Sequence, residues 1–330
     1  MKRFTIYALV LIAALLTTGC KQKVINDDMT DEEKLEVLDL QIEKHPSDAD
    51  LHAQRAQVLL NLGRAKEALF DIGKAVNAEP KRLEYRMLQA DIYFANGNIG
   101  ESYKALTEAQ ALEPDNMDVQ LKQGEITFYS GDYERSMRHL TAVTEKEPDN
   151  RTALLMKGFI YKEQGDTANA ITLLRRVCDL YPDYEPAFEQ LGIIYSAHQL
   201  PMAEEYLSTA LRLEPSNTNA MYALAMYYQD IEEIDRAESL YHQILDINPK
   251  SSDAWHNLGY IELFFYKDYE MAIEHLTKSI EADEYNVRAI AHRGCAYELN
   301  GQPAEARADY NAALAIDPSY PTALEGLKRI

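Results

Sequence analysis

The chain has 330 residues, 46% of them apolar and 26% charged, with 54 acidic against 33 basic side chains. That is the composition of a folding chain rather than a disordered one, and a net charge of −21 repels phosphate backbones, which argues against nucleic-acid partners. Gly and Pro are few beside 22 Tyr, a balance that favours helices, and three cysteines are too few for a disulfide framework.

The first stretch stands apart from the rest. Met1-Lys2-Arg3 is a short basic opening, and FTIYALVLIAALL behind it is an apolar run too short to cross a bilayer comfortably. It ends in TTGC. A small residue before cysteine, directly after such a run, resembles the lipobox of bacterial lipoproteins, with Thr17 where that family usually has Leu. The resemblance implies a signal peptide over residues 1–19, a diacylated and N-acylated Cys20, and a polar tether over 20–29. At about 0.8 kcal/mol per buried methylene, two or three acyl chains hold a protein stably on a membrane. The location expected is the cell envelope, most simply the outer membrane facing the periplasm. Ordinary secretory cleavage nearby is the alternative. Losing Lys2 and Arg3 with the signal leaves a charge of −23, and no later segment has eighteen apolar residues in a row.

Thr30 followed by Asp31-Glu32-Glu33 reads as an N-cap with acids in the first turn, opening a helix that runs to about Lys44 within a capping segment, 30–48. A period then begins. Pro46, Pro80, Pro114, Pro148 and Pro182 are each 34 residues apart; Pro215, Pro249 and Pro318 follow at 33, 34 and 69. Small residues recur at Ala56, Ala90, Gly124, Gly158, Gly192, Ala225, Gly259 and Gly294. A second small position lies at Ala68, Ser102, Ser136, Ala170, Ala203, Ala237, Ala272 and Ala306. Four residues on stands Ile72, Leu106, Leu140, Leu174, Leu207, Tyr241, Leu276 or Tyr310, which is one helical face. Gly63, Gly97, Gly131, Gly165 and Gly301 fall midway, where a left-handed residue ends a helix.

This pattern resembles the tetratricopeptide repeat, a helix pair of 34 residues, best seen in AWHNLGY with Trp255, Leu258 and Gly259, although Glu262 stands where that family prefers Tyr. The resemblance implies an all-α, right-handed α-α superhelix. About eight helix pairs over 49–320 would start near Ala49, Leu83, Met117, Arg151, Glu185, Thr218, Ser252 and Val287. The segments 30–48 and 321–330 would cover the ends, because each repeat buries its apolar face only against neighbours. Two departures are visible: AHQLPM in the fifth repeat is one residue short, and ELFFYKDYEM in the seventh is one long, with Glu284 in place of the proline. The long turn carries Phe264, Phe265 and Tyr266 as core adjustment, as an apolar contact site or as a local joint between the halves of the array.

Catalytic patterns are lacking: the chain has no HExxH, GxSxG or P-loop, and no nucleophile, base and orienter can be assembled. It reads as a non-enzyme with no cofactor and no metal. His256 and His292 sit in adjacent repeats and are better read as packing than as ligands; Cys178 and Cys295, four repeats apart, as small buried residues. In the family resembled, first helices line a concave groove. The positions that match are Met87, Asp91 and Phe94, then Leu121, Glu125, Phe128 and Tyr129, then Leu155 and Phe159, Ile193, Tyr222 and Met226, and His256, Asn257 and Tyr260. Any of these aromatics can instead pack on a neighbouring helix. Chaperone-binding members grip a carboxylate with Lys, Asn and Arg there; this chain has Lys122 nearly alone, so an acidic tail is disfavoured. The resemblance implies an interaction scaffold at the envelope that holds an apolar or basic segment or helix of a partner. The alternatives are direct capture of glycan or lipid, and assembly of a secretion or pilus system.

Overall fold

The computed structural model describes residues 28–330. The signal over 1–19, Cys20 and most of the tether lie outside the described residues. Among the described residues every regular element is helical, and no helix is long and apolar enough to cross a membrane. The chain forms two compact units, one ending at Ser136 and the other beginning at Met137.

The first unit opens with α1 (Asp31–Lys44). The Thr30 hydroxyl accepts from the Glu33 amide at 3.2 Å, and the Glu33 carboxylate accepts from the Thr30 amide at 2.9 Å. This reciprocal cap satisfies two amides that have no partner inside the helix. Helix pairs follow: α2 (Ala49–Asn61) with α3 (Ala65–Ala78), and α4 (Leu83–Ala95) with α5 (Ile99–Leu112). Then come α6 (Met117–Tyr129) and the start of α7 (Tyr133–Lys146). Ala56, Ala68 and Ile72 are fully buried in one core. Serine replaces alanine at the second small position without leaving a polar group unpaired: Ser102 Oγ donates to Ala90 O at 2.7 Å, and Ser136 Oγ to Gly124 O at 2.6 Å. Asp71, 2% exposed, accepts from Arg55 Nη2 and Nε (2.7 and 2.8 Å) and pairs with His52 Nδ1 (2.7 Å).

The second unit continues α7 into five helix pairs and a last helix. They are α8 (Arg151–Glu163) with α9 (Thr167–Leu180), α10 (Glu185–Ala197) with α11 (Met202–Leu213), and α12 (Thr218–Asp230) with α13 (Ile234–Ile247). Next come α14 (Ser252–Ile261) with α15 (Tyr269–Ala282), α16 (Val287–Leu299) with α17 (Pro303–Ile316), and a last helix, α18 (Pro321–Arg329). Small residues on each first helix let the partner helix close in. A Cβ built on Gly192 or Gly259 would lie 2.5 or 2.6 Å from Cγ of Leu207 or Leu276. The joint between repeats works as the proline spacing implies. The chain leaves a second helix, and Asn116, Asn150, Asn217 or Asn286 then accepts from an amide two or three residues on to start the next first helix.

The turn inside each pair has one left-handed residue. Gly63, Gly97, Gly131, Gly165 and Gly301 take φ between +71° and +79°, as expected; Gln199, Glu232 and Lys267 take the same role at +52°, +63° and +58° without being glycine. The short fifth repeat is absorbed by α11, which has 12 residues where the other second helices have 14. The extra residue of the seventh widens the end of α14 into a π-helical turn, Glu262–Tyr266.

Candidate functional site

In the first unit, the groove positions on α4 and α6 gather in two ways. Lys122 donates to the Asp91 carboxylate, so the cation that stands nearly alone in the sequence is paired. Phe94 and Phe128 lie 5.4 and 5.5 Å from the ring of Tyr129, and Phe128 lies 5.6 Å from Tyr133. Tyr129 and Glu125 are exposed; Met87, Phe94, Leu121 and Phe128 are half-buried.

The second unit carries the more developed site. Leu155 is buried and Phe159 packs half-buried on the core that runs through the fourth to seventh repeats. Beyond them α10 and α12 diverge around a cavity of about 580 Å³, with walls that include Ile193, Tyr222 and Met226 and carboxylates from Glu189, Asp230 and Asp253. No lysine or arginine lines it. Arg288 reaches Asp253 at 2.6 Å, and Lys162 reaches Gln190 at 2.8 Å. Glu185, just before this wall on α10, has its carboxyl raised above the usual range, first by burial and further by the charges of Glu189 and Glu214.

From the cavity a hydrogen-bonded row continues along the first helices. Asn257 Nδ2 donates to the Tyr222 hydroxyl at 3.1 Å, and His256 Nδ1 meets Asn257 Oδ1 at 3.0 Å. An amide oxygen only accepts, so His256 donates from Nδ1 and its Nε2 must be the acceptor for His292 Nδ1, 3.0 Å away. The row therefore runs one way: His292 donates to His256, His256 to Asn257, and Asn257 to Tyr222. The two imidazoles stack at 5.1 Å, with Tyr260 5.4 Å and Phe264 5.6 Å from the His292 ring. Burial, followed by the Arg288 charge, pushes His256 down to about 4. Burial, then His256 and Arg288, pushes His292 down to about 3.

His256 and Asn257 are each 4% exposed, so they fix the groove wall from behind while Tyr260, half-buried, fronts it. His292 belongs to the same row; it holds the repeat position of Asn257, two residues before Gly294 as Asn257 is before Gly259, a correspondence that could have placed it in the groove. The His256–His292 pair leaves His256 no lone pair for a metal, and among the described residues no group of three or more His, Cys, Asp or Glu is placed to hold one. Cys178 and Cys295 are both free and buried.

A 91-residue stretch, 28% of this chain, is 33% identical to a probable UDP-N-acetylglucosamine–peptide N-acetylglucosaminyltransferase, SPINDLY, of Solanum lycopersicum; it spans 10% of that relative. Among solved structures, the Cut9–Hcn1 hetero-tetramer of the APC/C matches with TM-score 0.60 at 18% identity, over 92% of this chain and 60% of that one. A tetratricopeptide repeat protein from Parabacteroides merdae matches with TM-score 0.57 at 18% identity, over 74% of this chain and 97% of its own. At such identity the likeness is one of fold. Family models described as tetratricopeptide repeat match residues 83–116, 121–185, 195–259, 252–286 and 287–320. The matches cover more than half of the chain, and the helix pair α2–α3 extends the same unit ahead of them. The chain belongs to the tetratricopeptide repeat family.

Proposed function

We propose that this protein is a lipid-anchored scaffold of the bacterial cell envelope that holds a protein partner against its first-helix groove. Residues 1–19 act as the signal, Cys20 carries the acyl chains, and 20–29 tether the array, with 30–48 and 321–330 covering its ends. The membrane is the outer one, facing the periplasm. A tetratricopeptide repeat fold is typical of interaction scaffolds, and nothing in the groove provides a reacting centre. The observation that carries the reading is the cavity between α10 and α12. It is walled by Ile193, Tyr222 and Met226, with carboxylates from Glu189, Asp230 and an Asp253 paired to Arg288, and has no basic residue in its lining. Such a site suits an apolar or basic segment and rejects an acidic one. Anchoring raises the local concentration of whatever the groove holds.

Two measurements test this. Replacing Phe128, Phe159 and Tyr260 with Ala should abolish recovery of envelope proteins crosslinked to the groove while leaving helical content intact; full recovery by the folded triple variant would remove the groove assignment. Cys20→Ala should move the protein from the membrane to the soluble fraction and prevent labelling with radioactive palmitate. A second reading, capture of a glycan or lipid, draws on the cavity's volume, which falls within the ~300–1,000 Å³ of small-molecule sites. A thermal shift with glycans or lipids but not with envelope proteins would favour it.

A further inference from the structure

We infer that the edge of the second unit formed by its inter-helix turns docks a basic, amphipathic helix of a partner protein, at a surface that borders the groove at Tyr260 and His292. In stacked helix pairs, turn lies beside turn along one edge. In the fifth, sixth and seventh repeats these turns expose apolar side chains, Leu200, Ile231, Phe264, Phe265 and Tyr266, and Leu299 ends the helix just before the eighth turn; all six are between 39% and 53% exposed. The turns of the second and fourth repeats, Asn96-Gly97-Asn98 and Gln164-Gly165-Asp166, present polar residues around a glycine instead. Three of these turns, in the fifth to seventh repeats, are also built at a conformational cost; the eighth keeps Gly301. Gln199, Glu232 and Lys267 hold the left-handed position without glycine, and the seventh turn adds a residue as a π-helical widening. That turn is held in place: the Tyr266 hydroxyl lies 3.2 Å from Asp235 and 3.1 Å from Glu238 on α13, and Phe264 stacks on Tyr260 at 4.6 Å. Phe264 and Phe265 are thus presented on a braced loop.

Charge selects the occupant. Glu232, Glu233, Asp235, Glu238, Glu262 and Asp268 lie in or beside the sixth and seventh turns, against Lys267 and an Arg236 already 2.7 Å from Glu204. The Glu262 carboxyl is raised by burial and then by Glu238 and Asp268, which reports the local negative field. An anionic bilayer and a second copy of a chain of charge −21 are both repelled. A segment with apolar residues at helical spacing and lysines or arginines flanking them is attracted. Neighbouring helices pack about 8–10 Å apart, so four turns span on the order of 30 Å, the length of a ~20-residue helix.

The test uses the full chain and a fluorescent 20-residue helical peptide of leucine and lysine, measured by anisotropy at two salt concentrations. Controls are the same peptide with Glu for Lys, a lysine-matched peptide lacking leucine, and zwitterionic vesicles. The Leu–Lys peptide alone should bind, and Phe264→Ala/Phe265→Ala should weaken it at least tenfold. Tyr222→Ala in the groove should leave it unchanged. Leu299→Gln, in a different repeat, should weaken it several-fold and serves if the double variant does not fold. Unchanged affinity in these edge variants overturns the inference, as does loss of binding in the Tyr222 variant alone. Phenylalanine-dependent flotation with vesicles, or a sedimenting dimer that the Phe variants dissolve, overturns it too. Because Phe264 packs on Tyr260, the groove reading is decided separately by Phe128→Ala/Phe159→Ala, which leaves that contact in place: lost envelope partners with the peptide still bound would count for the groove alone.

Discussion

The close approach of paired helices predicts that two chemically identical substitutions have unequal effects. A methyl group added at Gly259 would sit 2.6 Å from Leu276 Cγ, 3.1 Å from its Cδ2 and 3.2 Å from its backbone nitrogen. Carbon atoms rest at about 3.5–4.0 Å, so α14 and α15 must separate by about 1 Å. Leu276 is fully buried, and the nearest atom is its branch carbon rather than a movable end. Overpacking of this kind costs about 1–3 kcal/mol. Helix propensity returns about 1 kcal/mol for Gly→Ala inside a helix, leaving Gly259→Ala destabilised by up to about 2 kcal/mol. At Gly158 the nearest atoms, Cγ and Cδ2 of Leu174, are at 3.1 Å and the next contact is at 3.8 Å. A shift of a few tenths of an ångström suffices there, so the propensity gain should cancel the strain or slightly exceed it. Urea and thermal unfolding of both variants, followed by circular dichroism, decides the matter, with about 2–4 °C in midpoint per kcal/mol for a unit of this size. If Gly259→Ala melts no lower than Gly158→Ala, the packing account of the small positions is wrong.

Three further outcomes follow from the same geometry. Folding lowers the pKa of His256 to about 4 and of His292 to about 3, so the unfolded chain takes up protons first below its ordinary value of 6.5. Stability is then complete above pH 6.5 and falls as the pH drops toward 4; one such group costs about 2 kcal/mol by pH 5, and His292→Asn should flatten that slope in denaturant titrations. Gly165→Ala, at φ +76°, should lose about 1 kcal/mol, whereas Lys267→Gly, relieving φ +58°, should lose nothing and gain up to about 1 kcal/mol. Asp309 holds Arg293 at 2.8 and 2.9 Å in a largely buried pair. Asp309→Ala should therefore destabilise by about 2–3 kcal/mol and raise hydrogen exchange in α16 and α17 before it does so in α8.

The repeat was legible because its constraints are local and recur: a proline to stop one helix, an Asn or Asp to start the next, a small residue where two helices touch. Even the irregularities could be counted in the sequence, since a repeat one residue long must put the extra residue somewhere. The form it took could not be counted. ELFFYKDY fits a longer loop as well as a π-helical turn, and the choice rests on Tyr266 reaching Asp235 and Glu238 in the preceding second helix. The same limit hid the row of the groove wall. His292 and His256 are 36 residues apart and Asn257 and Tyr222 are 35, neither of them the period. Contacts between repeats join one position on a helix to a neighbouring position on the next, and the extra turn residue shifts that register again. A period locates like with like; chemistry across repeats joins unlike positions. The first and last repeats make the point from the other side. Arg55–Asp71 and Arg293–Asp309 share one spacing of 16 and one geometry, with the arginine just before the small residue and the aspartate just before the large one. The positions between hold other residues, so a search for what every repeat shares passes over both pairs.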